Sequence, residues 1–114
     1  MADFQVQAVS KYIMGSPLKA RRVVNTVRGM RATQALEVLA LMPHAAAHSV
    51  AKTIKSAVAN AEENYGLYAD DMVIAEITAN EGPRLKRMRF GARGRVKPII
   101  KRTSHITVVL EETV

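Results

Sequence analysis

Residues 82–102 carry nine Lys and Arg and no acidic residue, and a segment of alternating apolar residues stands on either side of them. This arrangement restricts the fold more than any other feature of the chain. A run so charged cannot supply a core, so its two flanks must, and the run itself projects from them or stays loose. Upstream, Val73, Ala75, Ile77 and Ala79 alternate with a more polar set. Downstream, Ile106, Val108 and Leu110 alternate with His105, Thr107 and Val109. Both patterns have the two-residue period of a strand with one buried face. Paired antiparallel, these strands make the charged run a hairpin extension. Gly91 and Gly94 are placed to supply the unusual backbone angles its tip needs. About 11 residues per strand, at roughly 3.3 Å each, would project on the order of 35 Å.

Leu85, Met88, Phe90 and Val96 are scattered among the charges, so neither face of this arm reads as consistently apolar. A two-stranded ribbon of that kind is marginal in water, and like charges on neighbouring positions weaken it further. Pro83 and Pro98 are tolerable because both strands of such a ribbon are edges. The expectation is an arm held in shape by a partner's negative charge. A short basic run is ordinarily solvated surface. Here the length, the absence of acid and the bracketing strands favour a binding element. Six of the nine cations are Arg, whose planar fork suits bidentate phosphate contact and base stacking. Were all nine to meet phosphates, log K would fall against log salt with a slope of about 6 to 8.

Outside this run the chain holds 8 basic and 10 acidic residues, so its basicity is local. A chain of 114 residues is one domain by length, 1–114, with 82–102 as its arm. With no Trp, three Tyr and two Phe, its core must be aliphatic. The absence of Cys excludes disulfides and thiolate metal sites. The N-terminal residues show no charged-then-apolar leader, and no run approaches the roughly 18 to 20 apolar residues of a membrane span. The chain reads as soluble and intracellular.

Phe4, Val6 and Ala8 alternate with Gln5 and Gln7 as in a short strand. Ser16-Pro17 is a helix start, with Ser as cap and Pro in the first turn, and Gly29 is placed to end that helix. At 100° per residue, Ala20, Val23, Val24 and Val27 fall in one arc while Lys19, Arg21, Arg22 and Arg28 lie outside it. A second helix follows Thr33, with Leu36 and Leu39 inward, and stops before Pro43. A third runs from about His44 to Tyr65 and is closed by Gly66. Val50, Ile54, Ala57, Val58, Ala61 and Tyr65 form its apolar stripe, and Lys52, Lys55, Glu62 and Glu63 face away.

Other residues of chemical interest form no constellation. His44 and His48 are four apart, but no third metal ligand is near them in sequence, and His105 is more than fifty residues further along the chain. Glu62-Glu63 and Asp70-Asp71 are adjacent pairs whose side chains diverge, which does not suit an acid–base pair. There is no Gly-rich phosphate loop followed by Lys-Ser/Thr, and no Ser nucleophile in an elbow context. The chain is read as a non-enzyme, with no metal and no cofactor.

Three motifs carry a family resemblance. Ser16-Pro17-x-Lys19-x-Arg21 is followed by Val27-Arg28-Gly29. Lys55-Ser56-Ala57-Val58-Ala59-Asn60-Ala61-Glu62 lies in the third helix. Glu81-Gly82-Pro83 runs through Ala92-Arg93-Gly94-Arg95 to Lys101-Arg102-Thr103-Ser104-His105-Ile106-Thr107. Over nearly its full length the chain resembles the bacterial large-subunit ribosomal protein twenty-two family. The resemblance implies an α+β fold, with three helices packed on a small antiparallel three-stranded sheet and a long protruding basic β-hairpin. It implies a cytoplasmic, ribosome-bound protein with early binding in assembly. Its partners would be 23S-type rRNA, neighbouring large-subunit proteins and, at the hairpin tip, the nascent polypeptide in the exit tunnel. No membrane and no homo-oligomer is implied. The rRNA-binding set would be Lys19, Arg21, Arg22, Arg28, Arg84, Lys86, Arg87, Arg89, Arg93, Arg95, Lys97, Lys101 and Arg102. The tunnel-facing tip would be Met88, Arg89, Phe90, Gly91, Ala92 and Arg93.

The chain departs from the family pattern where Phe90-Gly91 replaces the usual Pro-Arg, at Pro98, and at Met14-Gly15. A free-standing regulator or chaperone that binds RNA or DNA without sequence preference would want the same basic projection. Sedimentation with large subunits separates the two readings. A membrane-surface role would need large apolar residues beside the cations, and the apolar arc of the first helix offers only Ala and Val.

Overall fold

In a computed structural model, which describes residues 5–112, the alternating segments form a three-stranded antiparallel sheet against which three helices pack. For Tyr12, Met14, Leu85, Arg87, Arg89, Phe90, Val96, Pro98 and Ile99 the backbone alone is described. The elements in chain order are β1 (Gln5–Met14), α1 (Pro17–Val27), α2 (Ala32–Leu41), α3 (Ala45–Tyr65), β2 (Met72–Glu81), β3 (Leu85–Phe90), β4 (Val96–Lys101) and β5 (Thr103–Glu112). β5 is central in the order β1-β5-β2, and β3 and β4 pair separately as a two-stranded ribbon. This is the expected α+β arrangement. Phe4 lies outside the described residues, while Val6 and Ala8 are buried as one face of β1.

The helices begin and end for local reasons. The Ser16 hydroxyl accepts from the Leu18 N–H, and Pro17 sits where no donor is needed. Gly29, at φ +82, turns the chain after α1. α2 starts at Ala32, two residues before the expected point, with Arg31 as its cap residue. Gly66 closes α3 in the left-handed conformation, and its N–H donates to the Glu62 carbonyl.

Val23, Val24 and Val27 of α1, Ala35 and Leu39 of α2, and Val50, Ile54, Ala57 and Ala61 of α3 meet Ile74, Ile77, Ile106, Val108 and Leu110 of the sheet in one aliphatic core. The α3 stripe is narrower than the sequence suggests: Val58 is half-buried and Tyr65 is exposed. Thr53 is buried, and its hydroxyl donates to the Ser49 carbonyl and shares a 2.7 Å hydrogen bond with Ser10 on β1. That pairing lets a polar group sit between helix and sheet without an unmet bond.

β2 corrects the expected alternation. Met72 and Ile74 are the buried residues of its first half, and Val73 and Ala75 are only half-buried. The register against β5 shifts between Ile74 and Glu76, and Ile77 and Ala79 are buried beyond it. One extra residue in a bulge moves the inward set from even to odd positions.

The ribbon also corrects two expectations. Gly91 has φ −98 and ψ −172, ordinary extended backbone, and the left-handed positions are Arg93 at φ 60 and Gly94 at φ 73. Gly91 is closely approached instead: an added Cβ would lie 2.9 Å from Lys97 Cε, the far end of a flexible side chain, and 3.2 Å from the Arg95 carbonyl oxygen. The second correction concerns the faces. Lys86 pairs with Ile100, Met88 with Pro98 and Phe90 with Val96, while Leu85 pairs with Lys101, Arg87 with Ile99 and Arg89 with Lys97. Residues opposite one another share a face. Five of six positions on one face are therefore apolar, and four of six on the other are cationic.

The extents of the molecule are 65 × 26 × 21 Å. Its radius of gyration is 17.1 Å, against about 13 Å for a compact chain of this length. The ribbon accounts for the difference.

Candidate nucleic-acid interface

The expected cations fall into two groups, those of α1 and those of the ribbon. On α1 they divide by role. Arg21 Nε donates to the Ala79 carbonyl at 3.0 Å, and Arg28 Nη2 donates to the Ile77 carbonyl at 2.8 Å. β2 is an edge strand, so these carbonyls have no strand to pair with. Further along the same edge, the Ile74 N–H donates to the Met30 carbonyl and the Gly29 N–H donates to the Ile74 carbonyl. Two arginines read from the sequence as partner-seeking thus also complete the fold. Nothing in the helical periodicity of α1 signals this, because the acceptors are backbone atoms about fifty residues away.

Lys19 and Arg22 are exposed on the same helix. With His44, Ala45 and Ala46 they line a shallow cavity of about 240 Å³. They therefore stand beside the first turn of α3, which has no acidic residue and no side-chain cap. The positive end of the helix and two cations face one space, a suitable place for a phosphate. The sequence places Lys19 and Arg22 on a basic face but gives no sign that the start of α3 joins them.

At the base of the ribbon, Arg84 Nε lies 2.6 Å from Glu81 Oε1 as an ion pair. The hydrogen bond and charge of Arg84 hold the Glu81 carboxyl below its usual range, with Arg102 and Arg21 adding to the effect against some desolvation. Arg84 of the charged run therefore has an internal partner. Gly82 passes close beneath β5, where its N–H donates to the Thr103 carbonyl at 2.9 Å and Thr103 Oγ1 donates to the Pro83 carbonyl at 2.7 Å.

Farther out, Lys86, Arg93, Arg95, Lys97, Lys101 and Arg102 are exposed. Arg87 and Arg89 share the cationic face by backbone register. Arg93, Arg95, Lys97 and Ala92 surround a shallow cavity of about 280 Å³. The expected tip, Met88 to Arg93, is offset from the turn. Positions 88–90 lie in β3, and the chain reverses through Ala92–Gly94 between Gly91 and Arg95. Met88 is 79% exposed.

Among the described residues no three His, Cys, Asp or Glu come together as a metal site would require. No helix among them is long and apolar enough to cross a membrane.

A small α+β domain that carries its positive charge on a projecting two-stranded ribbon has the form of a ribosomal protein. Residues 8–111 match the family described as ribosomal protein L22p/L17e. A large ribosomal subunit protein uL22 from Desulfatibacillum aliphaticivorans is 51% identical over 108 residues, covering 95% of this chain and 99% of the relative. Its counterpart from Synechococcus sp. (strain JA-3-3Ab) is 50% identical over 106 residues, covering 93% and 86%. One from Thermotoga sp. (strain RQ2) is 46% identical over 112 residues, covering 98% and 70%. The chain belongs to the ribosomal protein L22p/L17e family, whose members are structural proteins and not enzymes.

Proposed function

We propose that this protein, a structural constituent of the large ribosomal subunit, binds large-subunit rRNA of the 23S type through its ribbon. The observation that carries this reading is the ribbon itself, a cationic projection on a member of a ribosomal-protein family. Residues 1–114 act as one domain with 82–102 as its arm. The exposed cations of the arm neutralise phosphates inside folded rRNA, and Lys19 and Arg22 anchor the domain on a second rRNA segment. Arg21, Arg28 and Arg84 join these contacts while keeping their internal acceptors.

RNA binding also gives the ribbon its shape. Cations on neighbouring positions repel until phosphates neutralise them, so the arm orders as the rRNA closes round it. That coupling suits a protein that enters early and assists assembly. The ribbon's far end, from Met88 to Arg93, lines the exit tunnel beside the nascent polypeptide, and the globular part meets neighbouring large-subunit proteins. The protein is cytoplasmic and ribosome-bound, and needs no cofactor.

Deletion of residues 84–102, with a short Gly-containing turn joining β2 to β5, tests the reading. The shortened chain is expected to fold, because none of the described side chains in the buried core comes from the ribbon. In sucrose gradients of cell lysate the full chain should sediment with large subunits and the shortened chain should stay light. Normal incorporation of the shortened chain, or a full chain found only in light fractions, overturns the proposal.

A further inference from the structure

The register of the ribbon separates two chemistries that the linear sequence mixes. Positions 87, 89, 97 and 101 put Arg, Arg, Lys and Lys on one face. Positions 88, 90, 96, 98 and 100 put Met, Phe, Val, Pro and Ile on the other, with Lys86 the single cation there. Met88 is 79% exposed and Ile100 52% exposed. No element of the core covers them, since Met88 and Ile100 lie outside the aliphatic cluster. Phosphates satisfy the cationic face and have nothing to offer the apolar one.

We propose that the apolar face of the ribbon takes unpaired nucleobases of RNA while the opposite face takes phosphates. The inference rests on the RNA-binding reading above and adds which part of the RNA each face meets. A polyanion drawn by the cationic face must also supply something apolar if both faces are to be covered. Single-stranded RNA has both, since bases splayed from a loop present flat π surfaces to apolar and aromatic side chains. The residue types suit the task. Met88 has a flexible, polarisable thioether that adapts to a base plane, and Phe at position 90 provides an aromatic ring type. A double helix, with its bases stacked inside, would leave this face bare. The ribbon therefore prefers RNA loops and junctions to duplex.

The test uses the full chain and two polyanions, single-stranded poly(U), whose bases stack weakly on one another, and inorganic polyphosphate, which has charge and no base. Met88 and Ile100 are exposed, so the double variant Met88→Ser/Ile100→Ser keeps the fold. It is expected to weaken poly(U) binding about tenfold at fixed salt. Polyphosphate binding and the salt slope on poly(U) should not change. Lys97→Ala/Lys101→Ala should instead weaken both polymers and reduce the poly(U) salt slope by about 1.4. The face assignment is overturned if the Ser variant binds poly(U) like the wild type, if it loses polyphosphate equally, or if its sole effect is to abolish self-association of the free chain. A wild-type chain that binds neither polymer overturns the RNA-binding reading as well.

Discussion

Thr103 Oγ1 donates to the carbonyl of Pro83 at 2.7 Å, tying the strand that leaves the ribbon to the segment that enters it. Thr103 is buried and the Gly82 N–H donates to its carbonyl, so this one residue holds both sides of the joint between sheet and arm. The position of the arm relative to the core depends on contacts of this kind, because among the described residues the ribbon places no side chain in the aliphatic core.

Replacing Thr103 by Val keeps the shape and removes the hydroxyl. The expected cost is about 1 kcal/mol, the net worth of a typical hydrogen bond, measured by urea unfolding. Amide exchange at Gly82 should quicken by more than the global loss, because the joint opens before the core does. Gly82→Ala attacks the same place from the other side. Its Cβ would lie 2.6 Å from Thr103 Oγ1, with His105 Cε1 at 3.1 Å, so the Thr103 side chain or the backbone must shift. A loss of about 1–3 kcal/mol follows, and part of it should return in a Thr103→Ala background, where the nearest atom is gone.

The cations of α1 should divide in a stability measurement as they do in the structure. Arg21→Ala and Arg28→Ala each leave an edge carbonyl of β2 without its donor and should cost about 1 kcal/mol. Lys19→Ala and Arg22→Ala, on the same helix, should change stability by less than about 0.5 kcal/mol. The Arg21→Ala/Arg28→Ala pair also frees the outer edge of β2 for another strand, so sedimentation should show association that rises with concentration. Equal effects from all four substitutions would contradict the division.

Much of this arrangement is legible in the chain because it depends on local period. The valines of α1 recur at helical spacing, Gly66 ends α3, and the alternation of Ile106, Val108 and Leu110 survives unchanged in β5. What the sequence hides depends on a count made elsewhere. In β2 one bulged residue reverses which side chains point inward, and no residue type in Ile74-Ala75-Glu76 announces it. The two faces of the ribbon depend on how many residues the turn consumes. Only after the chain reverses through Ala92–Gly94 are Met88 and Pro98 opposite one another. The second role of Arg21 and Arg28 is hidden for the same reason, since backbone acceptors carry no signature in sequence.

The Glu81–Arg84 pair gives the molecule a pH dependence whose sign follows from the ion pair. The carboxyl of Glu81 is held below its ordinary value in the folded chain by the Arg84 hydrogen bond and charge. A lowered folded-state pKa adds stability above the unfolded value, and that contribution disappears as pH falls through the folded one. The window is therefore acidic, below the ordinary carboxylate value of 4.5. Both side chains are about half-exposed, so the effect on global stability is small and is best read at the residue. In an NMR titration Arg84→Ala should move the Glu81 midpoint upward, and Arg84→Lys should return it part of the way.

The turn of the ribbon makes opposite demands of its two glycines. Gly94 sits at φ 73, where an L side chain costs about 1–2 kcal/mol, so Gly94→Ala strains the reversal. Gly91 has extended backbone, and the nearest atom to an added methyl is the far end of Lys97, which can swing away. Gly91→Ala therefore costs little and restricts the unfolded chain. In the RNA-bound protein, cross-strand Hα contacts between Phe90 and Val96 should persist in Gly91→Ala and weaken in Gly94→Ala. Arg93, also left-handed at φ 60, adds a directional check: Arg93→Gly should relieve the turn while lowering the salt slope for RNA by about 0.7, the share of one lost cation. If Gly91→Ala disrupts the pairing as much as Gly94→Ala does, the turn reverses one position earlier than this geometry requires, and the assignment of faces along the ribbon shifts with it.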